Sequence, residues 1–284
     1  MSNESVWPDG FKCCVVPTVD VDAESSSFII TQEDPTARPI MWSIGEFGPN
    51  EGYKRLLKIY KKYDLKATFF IPGWVAERHP DMVRDIYSEG HEIGNHGYTH
   101  ELLHYMEFEE EEEKEIHTKS QAVFKDLIGE KPVGYRSPAW EFTPHTKKIL
   151  LDLKYLYSSN YMNATLPYIH KKDGKDTGLV EIPVYWGCDD FPRYYIMSEQ
   201  TMLLFSGSNI EPTSPWLEVV TEEFDAYYDE GLCYCAVVHP LITGRPSRAR
   251  AYEKWIQHMV QRPGVWFATG KELAKYWLAK HKKK

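Results

Sequence analysis

The chain has 284 residues, 42% of them hydrophobic and 26% charged, and a net charge of -9. This is the composition of a folded globular protein, and the negative balance argues against general nucleic-acid binding, which needs a basic surface. No apolar run is long enough to span a bilayer, and "MSNESVWPDGFK" lacks the basic start and apolar stretch of a secretory leader, so the cytosol is the expected compartment.

Short β-branched runs alternate with amphipathic stretches. Residues 13–22, "CCVVPTVDVD", predict a strand. Residues 52–64 predict a helix, with Tyr53, Leu56, Leu57 and Tyr60 on one face. "KATFFIPG" is a strand, "PDMVRDIYSEG" a helix stopped by Gly90, and "HEIGNH" a third strand. A long helix covers 107–129; its glutamate run is a solvated face in which Glu110 and Lys114 can pair. "PVGYRSP" is a fourth strand, followed by a helix with Thr143 as N-cap and Pro144 at its first position. "YLYSSN" and "LVEIPVYW" are strands, 214–231 a helix, and "LCYCAVVHP" an apolar strand. A helix over 251–260, the strand "GVWFATG" and a last helix over 271–280 complete the chain.

About eight strands alternating with helices predict a mainly parallel sheet, as a closed barrel or a doubly wound layer. No Pro/Gly/Ser-rich linker divides residues 1–284, which are expected to form a single domain. The connections 23–51 and 186–213 are unusually long and follow strands, so in a barrel both lie at the end where sites are built. The five cysteines include no C-x-x-C pair and read as reduced, buried thiols.

Asp20 and Asp22 lie on one face of the first strand, because strand side chains alternate. Two carboxylates at the end of an apolar strand need pairing, hydration or a cation. His96 and His100 can reach one ion if their segment turns helically, although this spacing is common. Asp22, His96 and His100 together make a three-ligand open site with a position left for water, the layout of catalytic rather than structural zinc.

With those motifs stand "LLKIYKKYDLKATFFIPG", "GYRSPAWEF", "VEIPVYWGCDDFP" and "VVHP". Over nearly its whole length the chain resembles the polysaccharide deacetylases, carbohydrate esterase family four with nodulation-factor deacetylase homology. The likeness points to the branch that contains the peptidoglycan deacetylase of Helicobacter. The resemblance implies a distorted (β/α) barrel of about seven or eight mostly parallel strands. It also implies a divalent metal, usually zinc, held by Asp22, His96 and His100. Asp20 matches the general base, His239 the general acid, Arg136 the group that orients the base, and the backbone after Pro138 an oxyanion donor. Trp140 and Trp186 are candidates to wall the substrate pocket. Asp190, with Asp189, is a candidate to contact substrate or orient His239.

The family usually carries adjacent aspartates, whereas Val21 separates them here. The implied activity is hydrolysis of a non-peptide C–N bond, with metal-activated water attacking an N-acetyl group. The substrate is then an N-acylated sugar. The absence of an export signal and the two aromatic loops also admit a small amide, as in allantoinases or cyclic-imide hydrolases. A non-catalytic carbohydrate-binding protein is the third alternative, and retention of Asp20 and His239 argues against it. Relatives often form oligomers, so a homo-oligomer is compatible with the resemblance.

Overall fold

The computed structural model describes residues 6–29, 39–103, 107–194 and 212–281. Nine strands form its sheet: β1 (Cys13–Asp20), β2 (Thr68–Ile71), β3 (Glu92–Asn95), β4 (Gly134–Tyr135), β5 (Tyr157–Ser158), β6 (Tyr168–Lys172), β7 (Lys175–Glu181), β8 (Cys233–Val238) and β9 (Val265–Phe267). Their order is β6-β7-β5-β4-β3-β2-β1-β8, and β9 pairs with the first half of β1. Every pairing is parallel except the β6–β7 hairpin. The sheet curls into a distorted barrel. Its ends are bridged where Cys233 N–H donates to Thr165 O (3.0 Å) and Asp190 N–H to Val237 O (3.3 Å).

The pleat of β1 sorts its side chains. Cys13, Val15 and Val19 belong to the core shared with the surrounding helices, which includes Leu56, Tyr60, Phe124 and Trp255. Cys14 and Val16 belong to a second core with Phe70, Tyr157, Val180, Cys235 and Val237. Thr18 and Asp20 continue that second face toward the C-terminal end of the strand, by the period of two. β8 repeats the pattern: Cys233, Cys235 and Val237 lead to His239 just past its end. The inner face is therefore apolar at the start of the strands and polar at their finish.

Two glycines make that packing possible. A Cβ on Gly94 would lie 2.4 Å from the Phe70 ring, and one on Gly134 would lie 2.0 Å from the Tyr157 ring. Both aromatic rings occupy space that a larger residue on β3 or β4 would fill.

The long connection after β1 contains a 3-10 turn, Ala23–Ile29, and a helix, Pro39–Phe47. That helix rests directly on the backbone after Asp22: a Cβ on Gly45 would fall 2.5 Å from Ala23 O. The connection after β7 contains the short helix Phe191–Tyr194, and its residues 195–211 lie outside the described residues. No helix among the described residues is long and apolar enough to cross a membrane.

Candidate metal and catalytic site

The C-terminal ends of β1, β3, β4 and β8 bring Asp20, Asp22, His96, His100, Arg136 and His239 together, all buried. Asp22 lies two residues past β1, and Ser25 donates to its carbonyl from both N–H (3.0 Å) and Oγ (2.5 Å). His96 follows β3 directly, with its N–H on Ile71 O at 3.2 Å. The loop from Gly97 to His100 is gathered by Glu101, which accepts from Tyr98 N–H (2.9 Å), Thr99 N–H (2.7 Å) and Thr99 Oγ1 (2.7 Å).

Asp22 Oδ1 lies 3.5 Å from His96 Nε2 and 3.5 Å from His100 Nε2. It is buried and has no hydrogen-bond partner among the described residues. A tetrahedral site with zinc-like bonds to nitrogen and oxygen places its donors ~3.4 Å apart. The separations and the orphaned oxygen therefore suit a shared divalent ion. His96 Nδ1 lies 2.7 Å from Arg136 O, the kind of carbonyl contact that fixes a ligating imidazole with the Nε2 lone pair free. Burial alone would raise the Asp22 carboxyl, but His100 and His239 outweigh it and hold the group well below the usual range.

His239 Nε2 lies 3.7 Å from Asp22 Oδ2. On its other side Nδ1 lies 2.6 Å from Asp190 Oδ1 and 3.5 Å from Asp189 Oδ1. Asp190 also accepts from His239 N–H (3.1 Å) and from Thr243 Oγ1. Its oxygens are thus committed to holding His239. Burial alone would lower the His239 imidazole, yet Asp190, Asp22 and Asp189 together keep it well above its usual range.

Arg136 is fully buried and donates from Nη1 to Asp20 Oδ1 at 2.8 Å. Trp140 and Trp186 pack with ring centroids 4.2 Å apart and planes tilted by 36°; Trp140 is buried and Trp186 is 42% exposed. The other histidines of residues 91–106 part company with the pair. His91 is buried at the opposite end of β3, where its Nδ1 accepts from Ala67 N–H at 3.1 Å, and His104 lies outside the described residues.

Backbone strain marks the same region. Ala23, His100, Ala139 and Trp140 all have φ between 48° and 66°, an uncommon conformation for residues other than glycine. Two of them flank Asp22 and Pro138 and one is itself a candidate ligand, which matches the tendency of such strain to gather at functional sites. Glu101, Thr18 and Ser159 also contribute to the site and had no signature in the sequence. Thr18 and Ser159 matter only through Arg136, which reaches them from another strand, and Glu101 acts within its own loop through contacts with Tyr98 and Thr99.

Residues 34–158 match the family profile "Polysaccharide deacetylase". The chain is 32% identical over 266 residues to the peptidoglycan deacetylase of Helicobacter pylori, with 85% of this chain and 89% of that protein covered. A crystal structure of a polysaccharide deacetylase homologue from Mycobacterium smegmatis superposes with a TM-score of 0.87 at 36% identity, covering 96% of this chain and 93% of that one. An allantoinase structure has a TM-score of 0.82 at 24% identity over 99% of this chain and 95% of its own, a likeness of fold.

Proposed function

The chain belongs to the polysaccharide deacetylase family and is a hydrolase of carbon–nitrogen bonds other than peptide bonds, and on that premise we propose that it removes the acetyl group from an N-acetylated sugar or glycan. The observation that carries this reading is the convergence of Asp22, His96 and His100 on one point, with Asp20 and His239 beside it.

Asp22, His96 and His100 would hold a divalent ion, zinc in our reading. When bound, such an ion polarises the acetyl carbonyl and lowers the pKa of water. Asp20 takes a proton from the attacking water, and Arg136 fixes the carboxylate while it does so. Water oxygen bonds to the carbonyl carbon, and in this reading the backbone after Pro138 would donate to the oxygen that gains charge. His239 presents Nε2 toward the site while Asp190 holds Nδ1. It gives its proton to the sugar nitrogen as the C–N bond breaks, so the amine leaves neutral and acetic acid remains, which loses its proton to solvent as acetate. An amine is a poor leaving group until protonated, which is why an acid is needed opposite the base. The exposed face of Trp186 is a surface on which a sugar ring can stack.

The test is metal analysis of the purified protein joined to a hydrolysis screen of N-acetylglucosamine oligomers, ureides and cyclic imides. We expect one bound divalent ion per chain and acetate release from the sugars. Turnover confined to ureides or imides would overturn the sugar assignment.

A further inference from the structure

Arg136 engages all five of its N–H groups, and only one of them meets a charge. Nε donates to Ser159 O at 3.3 Å. Nη1 donates to Thr18 Oγ1 at 2.7 Å and to Asp20 Oδ1 at 2.8 Å. Nη2 donates to Ser159 Oγ at 2.9 Å and to Cys235 Sγ at 3.3 Å. The Phe70 ring closes one side of the guanidinium, 4.3 Å from Cζ.

A guanidinium beside a carboxylate commonly takes both oxygens through its fork. Here the second tooth is occupied. The remaining Nη1 proton goes to Thr18, whose own hydroxyl proton is spent on Ala236 O at 2.7 Å, and both Nη2 protons go to Ser159 and Cys235. Asp20 is therefore gripped through Oδ1 alone, and Oδ2 has no partner among the described residues. A base needs a free lone pair within reach of the proton it takes. A forked grip would commit both oxygens to Arg136.

We propose that Thr18, Ser159 and Cys235 are positioning residues that turn the Arg136 guanidinium so that it holds Asp20 by one oxygen and leaves the other to accept a proton. The proposal rests on reading Asp20 as the base. The three acceptors come from β1, the end of β5 and β8, so the orientation is set by the barrel as a whole.

The test compares Thr18→Val/Ser159→Ala with the parent enzyme, both metal-loaded, on N-acetylglucosamine oligomers. We expect kcat to fall about tenfold or more, with KM and bound metal nearly unchanged, because ground-state binding is untouched. A crystal structure of the double variant should show both Asp20 oxygens within about 3.2 Å of the guanidinium. Ser159→Thr, which keeps the hydroxyl, should stay within about threefold of the parent. Should the double variant fail to fold, Cys235→Ala against Cys235→Ser supplies the same contrast, with loss in the first and recovery in the second. Near-parental kcat in the double variant while Asp20→Asn is inactive would overturn the positioning role and spare the base. Full turnover by Asp20→Asn would remove the base, and the proposal with it.

Discussion

His91 offers a measurement of how the barrel's closed end responds to acid. Its ring is buried between Phe69 and Tyr60, with centroid distances of 5.2 Å and 5.5 Å, and its Nδ1 accepts the Ala67 N–H. Burial, with nearby Lys66 adding to it, pushes the imidazole from 6.5 down to about 4. The unfolded chain therefore binds this proton first as pH falls. The stability that His91 contributes is fully present above the unfolded value and is lost progressively as pH drops from 6.5 toward 4. Linkage over that shift gives a loss of about 2 kcal/mol at pH 5 relative to pH 8. His91→Gln keeps an acceptor for Ala67 N–H and cannot titrate. Urea unfolding of both proteins at pH 8 and pH 5, with chelator present throughout, cancels every other titrating group. We expect the parent to lose about 2 kcal/mol more than the variant between the two pH values. Parallel losses would show that His91 is not held neutral and that the packing around it has been misjudged.

Asp22→Ala or His96→Ala should abolish bound metal and acetate release while far-ultraviolet circular dichroism stays parental; full turnover by either would refute the ligand set. Gly45→Ala should cost about 1–3 kcal/mol, read as a lower unfolding temperature, because its Cβ would meet backbone at Ala23 and Glu24 that cannot swing aside. An unchanged unfolding temperature would mean that the Pro39–Phe47 helix is not seated on the Asp22 loop. All five cysteines are free and buried, so a thiol reagent should label the native protein slowly and all five after denaturation; rapid native labelling would contradict their burial.

The pairing of Asp20 with Asp22, the spacing of His96 and His100, and the apolar run leading to His239 were legible because each is a local pattern, although β1 ends at Asp20 and Asp22 stands two residues beyond it, off the strand. The parallel strands were legible for the same reason, through helices recurring between them. The β6–β7 hairpin was not anticipated: its strands carry three lysines and little β-branched content, and they lie half-exposed at the sheet edge. The signal that could have found it is the turn pair Asp173–Gly174, both with positive φ, the signature of a tight hairpin turn. The helix Pro39–Phe47 was read only as part of a long loop, because its helical stretch is short and carries glycine at position 45. Asp190 was a candidate to contact substrate or to orient His239. Its hydrogen bonds to His239 depend on Asp190 N–H joining Val237 across the gap between the ends of the sheet, a juxtaposition no local spacing encodes.

The rings of Phe70 and Tyr157, admitted by Gly94 and Gly134, fill the barrel below the site. The barrel thus has a solid floor beneath the buried carboxylates and imidazoles. Packing of this kind leaves no passage through the bottom of the barrel, so substrate and products must come and go at the strand ends where Asp22 and His239 stand. Acetate and the next acetyl group would then meet the same residues from the same side, so product release belongs to the same end of the barrel as the chemistry.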